Sequence, residues 1–156
     1  MQWKPPPGPQ TKFHASNAFE ILYGGAAGGG KSESLLVEAL RYSHVAGYHA
    51  LLLRRTYPEL EGKGSGLIPR SRELLSGVAH YDEQKHLWTF PSGATVGFGH
   101  LEHAHSVHIY QSAAFAYLAF DELTSFLESQ YLYMHSRART LAGVPVRIRN
   151  GSNPGG

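Results

Sequence analysis

Apolar positions along the chain switch between two periods. Residues 18–23, Ala-Phe-Glu-Ile-Leu-Tyr, form a short apolar, partly aromatic run that predicts a buried strand. Leu35, Leu36, Ala39 and Leu40 then recur at helical spacing, with Glu33, Glu38 and Arg41 between them. The run Ala-Leu-Leu-Leu-Arg at 50–54 predicts a second strand. Tyr57-Pro58 predicts a turn, because the residue before a proline avoids helical backbone angles. Glu-Gly-Lys-Gly-Ser-Gly at 61–66 reads as a surface loop, and a helix is expected around 69–75. Segments 85–90 and 94–100, separated by Pro91-Ser-Gly93, read as two strands joined by a turn. The apolar run 117–120 ends in Asp121-Glu122, and Ser125-x-x-Glu128 fits a capping box for a helix burying Leu127, Tyr131 and Met134. In the last strand candidate, 144–150, Val144, Val146 and Ile148 alternate with Pro145, Arg147 and Arg149. A central parallel strand is apolar on both faces, so this pattern predicts a half-exposed strand. Strands alternating with helices predict an α/β fold with a mostly parallel sheet flanked by helices. The proline-rich start is assigned to an extended arm over 1–17, leaving 18–156 as one domain.

Between the first strand and the first helix stand five glycines in seven positions, 24–30. Each glycine in an element interior costs roughly 0.5–1 kcal/mol relative to alanine, so this density needs a local reason. A linker does not fit between a strand and a helix. A phosphate-binding loop does: Gly25, Ala26, Ala27, Gly28, Gly29, Gly30, Lys31 and Ser32 fill every fixed position of G-x-x-x-x-G-K-[ST]. In such a loop successive N–H groups face phosphate oxygens, and the new helix adds its positive dipole end. Lys31 is then expected to reach the β- and γ-phosphates of ATP, and the Ser32 hydroxyl to ligate Mg²⁺. The strand ending in Asp121-Glu122 supplies the second half of such a site, since ligands in open α/β sheets bind at the carboxyl ends of strands. Asp121 is assigned to the metal, and Glu122 to the polarisation of the attacking water. Together these features predict a P-loop NTPase of the class with an additional strand and a catalytic glutamate, in which Asn153 is placed to sense the γ-phosphate.

Composition narrows the classes further. At 156 residues the chain fits one domain with a genuine core, and its balance of 42% hydrophobic to 17% charged residues is that of an ordinary globular protein. No apolar run approaches the roughly 20 residues that span a bilayer, so no membrane partner is expected. The absence of cysteine excludes disulfides and thiolate metal sites. A formal charge of +2 is too small to argue for nucleic acid by itself. His100, His103, His105 and His108 raise a zinc site as an option, but His103-x-His105 on one strand face lacks a third ligand, and an exposed histidine-rich loop is the plainer reading.

Gly24-Gly-Ala-Ala-Gly-Gly-Gly-Lys-Ser32, Leu53-Arg-Arg-Thr-Tyr-Pro-Glu-Leu60, Phe120-Asp-Glu-Leu-Thr124 and Ser152-Asn-Pro-Gly-Gly156, in that order, resemble the large terminase subunit of tailed bacteriophages. The resemblance runs from about Pro5 to the end. It implies an ATPase motor that moves double-stranded DNA into a procapsid, working as a homo-oligomeric ring with portal protein and small terminase subunit in the cytoplasm of the infected bacterial host. It also implies that Ser152 and Asn153 couple hydrolysis to movement and that Gln10 recognises adenine. The family carries a nuclease domain after the ATPase, so a chain stopping at Asn-Pro-Gly-Gly is expected to hold the ATPase domain alone, incomplete at its carboxyl end. A helicase- or recombinase-like ATPase, or an inactive nucleotide-binding fragment, are the competing readings.

The sequence departs from the family where many relatives place an arginine inside the phosphate loop, because Ala26 and Ala27 stand there. An arginine finger is typically worth about 10³–10⁵ in turnover, so another source is expected. Arg137 and Arg139, read as lying near the end of the helix after Glu122, are the candidates for a neighbour's nucleotide, with Arg139 favoured. Lys63, Arg70 and Arg72 form a candidate basic loop for DNA. In this ATPase class the last strand lies between the loop strand and the Asp-Glu strand, which leaves strand 18–23 as an edge.

Overall fold

The computed structural model describes residues 19–23, 31–62 and 66–151. The arm 1–17 with Gln10, the phosphate-loop positions Gly25, Ala26, Ala27, Gly28, Gly29 and Gly30, Lys63, and Ser152 and Asn153 lie outside these residues.

The described strands are β1 (Glu20–Tyr23), β2 (His49–Arg54), β3 (His80–Asp82), β4 (Leu87–Thr89), β5 (Thr95–His100), β6 (Tyr117–Phe120) and β7 (Arg147–Gly151). The helices are α1 (Lys31–Ala39), α2 (Tyr57–Glu61), α3 (Leu67–Leu75) and α4 (Glu128–His135), with 3-10 turns at Ala104–Tyr110 and Leu123–Ser125. The strands form one seven-stranded sheet in the order β1-β7-β6-β2-β5-β4-β3. From β1 to β5 every pairing is parallel, and β4 and β3 close that side as antiparallel strands. The mostly parallel α/β sheet expected from the sequence is thus present, and β7 lies between β1 and β6 as that ATPase class requires.

The central strands are apolar on both faces because each face is covered. On one side Ala50, Leu52, Tyr117 and Ala119 pack with Leu35, Leu36 and Ala39 of α1, Ile68 and Leu75 of α3, and Trp88. On the other, Leu51, Leu53, Leu118, Phe120 and Ile148 pack with Leu101, Val107 and Met134. Adjacent residues of β2 and β6 therefore serve opposite cores, as the two-residue period of a strand dictates. Two buried tyrosines pin α1 to the sheet: the Tyr48 hydroxyl donates to the Ala39 carbonyl at 2.7 Å, and the Tyr117 hydroxyl to the Leu35 carbonyl at 2.8 Å.

Several expectations are corrected. Tyr57-Pro58 opens a short helix, because a proline in the first turn has no N–H to waste there. The helix after Glu122 is capped at Leu127 rather than Ser125: the Leu127 N–H donates to the Gln130 carboxamide oxygen at 3.0 Å, while the Ser125 hydroxyl donates back to the Glu122 carbonyl at 2.7 Å. Of the face assigned to this helix, Met134 is buried and Tyr131 half-buried, but Leu127 is exposed. The short strand β3 was not expected and extends the predicted hairpin into a three-strand meander.

The largest correction concerns β7, which is buried along its whole length. Arg147 forms an ion pair with Glu38 of α1 and lies between the rings of Tyr42 and Tyr117, its guanidinium carbon 5.2 and 5.3 Å from their centroids. Arg149 is also fully buried and donates to the Ile148 carbonyl at 3.0 Å. Burial first, and then the like charge of Arg149, push the Arg147 guanidinium down to about 10. Arginines that alternate with apolar residues thus face protein, not water. Removing one partner of a buried ion pair typically costs about 3–5 kcal/mol. Arg147→Ala should lose about that much stability in urea unfolding, and replacing Arg147 and Glu38 together by Met and Leu should recover most of it. A loss below about 1 kcal/mol for Arg147→Ala, the level of an exposed pair, would show that the pair is not buried in solution.

Among the described residues β1 is paired on one side only, with β7. Phe19 is 49% exposed and Leu22 60% exposed beside that open edge. An unpaired apolar edge templates pairing with another chain. The 156-residue chain should therefore self-associate at high concentration, and Leu22→Lys should reduce this in sedimentation experiments. Equal association of wild type and Leu22→Lys would place the contact elsewhere.

Candidate active site

The parallel strands β7, β6 and β2 bring Gly151, Asp121 and Arg54 to one edge of the sheet. Asp121 continues β6 by one residue, its N–H donating to the Leu53 carbonyl at 3.0 Å. Helix α1 begins at this edge, with Lys31 and Ser32 as its first two residues and Lys31 largely buried. The Ser32 hydroxyl donates to Asp121 Oδ2 at 2.8 Å. The two residues separately assigned to the metal thus meet, across 89 positions of chain.

Between them lies Arg54, a residue without a role in the sequence-based assignment. It ends β2 and is 5% exposed. Its Nε donates to Asp121 Oδ2 at 2.8 Å, and its Nη2 lies 2.6 Å from the same oxygen. Nη2 also donates to the Ser32 hydroxyl at 3.1 Å, and Nη1 to the Glu59 carbonyl of α2 at 2.6 Å. A buried guanidinium against a buried carboxylate, with several hydrogen bonds, is the geometry that charge needs inside a protein. Arg54 belongs to the Leu53–Leu60 block, so its presence is visible in the sequence, but its long-range partners are not.

Glu122 follows Asp121 with φ 60° and ψ 59°, in the left-handed region. For a residue with a Cβ this conformation costs roughly 1–2 kcal/mol, and such strain collects at functional sites. It is held by the 3-10 turn after β6, in which the Ser125 N–H and hydroxyl both donate to the Glu122 carbonyl. Burial is the main cause that pushes the Glu122 carboxyl above its ordinary value. Arg54 pulls it down, while Asp121 and a hydrogen bond with Glu59 push it up. Glu59 is oriented by Thr56, whose hydroxyl donates to Glu59 Oε1 at 2.8 Å.

Gly151 lies against the same edge. A Cβ there would come within 3.2 Å of Leu35 Cδ1 and 3.4 Å of Asp121 Oδ1, so a side chain would press on α1 and on the acid together. The preceding Asn150 donates through its side-chain amide to the Tyr131 hydroxyl at 2.7 Å, which ties the end of β7 to α4.

The other candidates lie elsewhere. Arg137 and Arg139 follow α4 rather than ending it: Arg137 lies in the turn that leaves the helix, its N–H donating to the Met134 carbonyl at 2.9 Å, and Arg139 comes just past the parallel bridge of Ala138 to Phe115. Phe115 precedes β6 and Asp121 follows it, so these arginines stand at the opposite end of the strand, about 20 Å away at the rise of a strand. Arg137 bonds the Gln111 carbonyl and stacks on Tyr133, whereas Arg139 is exposed. Neither serves this chain's own site. Arg70 pairs with Glu33 and Glu73, and Arg72 with Glu61 and Glu83, so the basic residues of α3 are neutralised by neighbouring acids. His103 and His105 stack at 5.6 Å at the start of a 3-10 turn rather than on a strand. Among the described residues no group of three or more His, Cys, Asp or Glu is placed to hold a metal ion.

Ser32 Oγ and Asp121 Oδ2 are hard oxygen donors at the start of a helix and the end of a strand, the donor chemistry that suits Mg²⁺. The donor set therefore fits the metal expected from the sequence.

Comparison with known proteins agrees with the fold. Residues 22–152 match the family model for the terminase large subunit, T4likevirus-type, N-terminal. No curated protein matches the chain. Among solved structures, the large terminase from a thermophilic bacteriophage is similar at 14% identity and a TM-score of 0.72, over 96% of this chain and 39% of that one. The same thermophilic-phage enzyme in complex with ADP matches at 15% identity and a TM-score of 0.63, over 86% of this chain and 33% of that one. The ATPase domain of the Thermus phage P74-26 large terminase matches at 15% identity and a TM-score of 0.65, over 95% and 64%. At these identities the structures establish a shared fold, and this chain spans about two fifths of the first protein's length. With the family model matching 131 of 156 residues (22 through 152), the chain belongs to the terminase large-subunit family, in its N-terminal part.

Proposed function

We propose that the chain binds and hydrolyses Mg·ATP as the motor domain of a viral DNA-packaging terminase. The observation that carries this reading is the meeting of Ser32, at the start of α1, with Asp121, at the end of β6, beside a strained Glu122. The family match, and the ADP complex of the thermophilic-phage protein, support it. Double-stranded DNA, a portal protein, a small terminase subunit and a ring of subunits in the infected cell's cytoplasm are the partners and setting that this reading carries. A helicase- or recombinase-like ATPase would use the same site, but the family match over 22–152 favours packaging.

Each residue then has a task. Lys31, leading into α1, binds the β- and γ-phosphates, and the loop Gly25–Gly30 wraps them with its N–H groups. Ser32 and Asp121 hold Mg²⁺, which when bound neutralises charge on the β- and γ-phosphate oxygens. Glu122 accepts the proton of the water that attacks the γ-phosphorus, while the bond to the ADP oxygen breaks and phosphate leaves. The αL backbone at Glu122 sets its carboxyl within electrostatic reach of Asp121, Arg54 and Glu59. Ser152 and Asn153 follow directly on the buried end of β7, which suits them to relay phosphate loss to the rest of the motor. Gln10 is assigned to adenine. Arg137 and Arg139, far from their own chain's site, remain the candidates for a neighbour's nucleotide, with the exposed Arg139 favoured.

Lys31→Ala should abolish Mg·ATP binding in calorimetry without loss of fold, and unchanged affinity would remove the phosphate-loop assignment. Glu122→Gln should still bind ATP while turnover falls by roughly 10²–10⁴, the usual contribution of a general base. Turnover equal to wild type would assign the base elsewhere. The carboxyl of Glu122 gives a further test in the chain free of metal and nucleotide. It should titrate above its ordinary value of 4.5 in carbon-detected NMR, and Arg54→Gln, which removes the cation that lowers it, should move it higher. Titration at or below the ordinary value would contradict this environment for Glu122.

A further inference from the structure

Arg54 competes chemically with the metal. Asp121 Oδ2 accepts hydrogen bonds from the Ser32 hydroxyl at 2.8 Å and Arg54 Nε at 2.8 Å, and Arg54 Nη2 lies 2.6 Å from it as an ion pair. Ser32 Oγ in turn accepts from Nη2 at 3.1 Å. These contacts occupy lone pairs of Asp121 Oδ2 and Ser32 Oγ that would otherwise be open to Mg²⁺. A divalent ion on those oxygens would also lie within a few ångströms of a buried guanidinium, where like charges repel strongly. The third edge of the guanidinium is anchored separately, by Nη1 on the Glu59 carbonyl of α2.

We propose that Arg54 is a cationic gate on this metal site: it must leave Asp121 Oδ2 and Ser32 Oγ for the metal to bind, and takes nucleotide phosphate as its replacement anion. The inference rests on the proposed ATPase function and adds a residue to it. It makes metal and nucleotide bind interdependently, since each is favoured once the other has relieved one half of the Arg54 contact. It also places a cis guanidinium beside the phosphates in a chain whose phosphate-loop pattern holds alanine at positions 26 and 27. Because Nη1 stays on α2, movement of Arg54 would be felt by Glu59 and, through it, by Glu122.

The test has signs that oppose each other. Mn²⁺ titration followed by electron paramagnetic resonance, on the 156-residue chain without nucleotide, should show Arg54→Gln binding at least about tenfold more tightly than wild type, because a buried like charge has been removed. Binding of ATP without metal should weaken in the same variant by about tenfold, a lost phosphate–guanidinium contact. A residue that merely supports the fold would weaken both. Arg54→Lys, which keeps the charge but not the two-nitrogen grip, should fall between. The wild-type chain gives a second readout that needs no variant: the Arg54 Nε–H resonance should shift and exchange faster when Mg·ATP is added. Mn²⁺ affinity unchanged or lowered in Arg54→Gln, or an Arg54 resonance unmoved by bound Mg·ATP, overturns the gate while leaving the ATPase reading intact. A wild-type chain that binds neither Mn²⁺ nor ATP overturns both.

Discussion

A buried carboxylate needs a cation, and at Asp121 that requirement organises the site. Leaving such a charge uncompensated in the interior would cost several kcal/mol. Arg54 meets it, and in doing so joins four elements: β6 through Asp121, β2 through Arg54 itself, α1 through Ser32 and α2 through the Glu59 carbonyl. The strand ends, the start of the phosphate-loop helix and the short helix after β2 are held in register by one cluster of hydrogen bonds. A metal that displaced the guanidinium would take over only two of those connections, to α1 through Ser32 and to β6 through Asp121.

A second buried charge ties the same helix to the sheet from below. Glu38 of α1 pairs with Arg147 of β7, between Tyr42 and Tyr117, while Tyr48 and Tyr117 hold α1 carbonyls. Helix α1 is therefore fixed at its first turn by Ser32 and near its last by Glu38. β7 is fixed to it at one end by Arg147 and meets it again at Gly151, whose missing side chain lets Leu35 and Asp121 approach. In the proposed motor, a strand clamped this way to the phosphate-loop helix would pass phosphate loss to the residues that follow it.

What is legible in the sequence is local. Lys31, Ser32, Asp121 and Glu122 can be assigned because each sits at a junction of elements that a few adjacent residues define. The hairpin around Pro91-Ser-Gly93 is visible for the same reason, and Gly93 does adopt a positive φ there. What escapes such a reading depends on distant partners. Arg147 and Arg149 alternate with apolar residues and imitate a half-exposed strand, but Glu38, Tyr42 and Tyr117 accommodate the Arg147 charge from other parts of the chain. Arg54 stands in plain view as the end of an apolar run, yet its role comes from a contact 67 positions away. The chain beyond α4 is held by the bridge of Ala138 to Phe115, a partner distant in sequence, which no local pattern around Arg137 and Arg139 shows.

These elements converge on one claim, that the edge of the sheet formed by Ser32, Asp121, Glu122 and Arg54 is a nucleotide site in which a guanidinium and a metal contend for the same oxygens. The most direct measurement is a crystal structure of the chain with Mg²⁺ and a non-hydrolysable ATP analogue. The account predicts the triphosphate at the start of α1, the metal touching Ser32 and Asp121, and Arg54 off Asp121 Oδ2 and on a phosphate oxygen. A nucleotide bound elsewhere, with the Ser32–Asp121–Arg54 contacts unchanged, would contradict it.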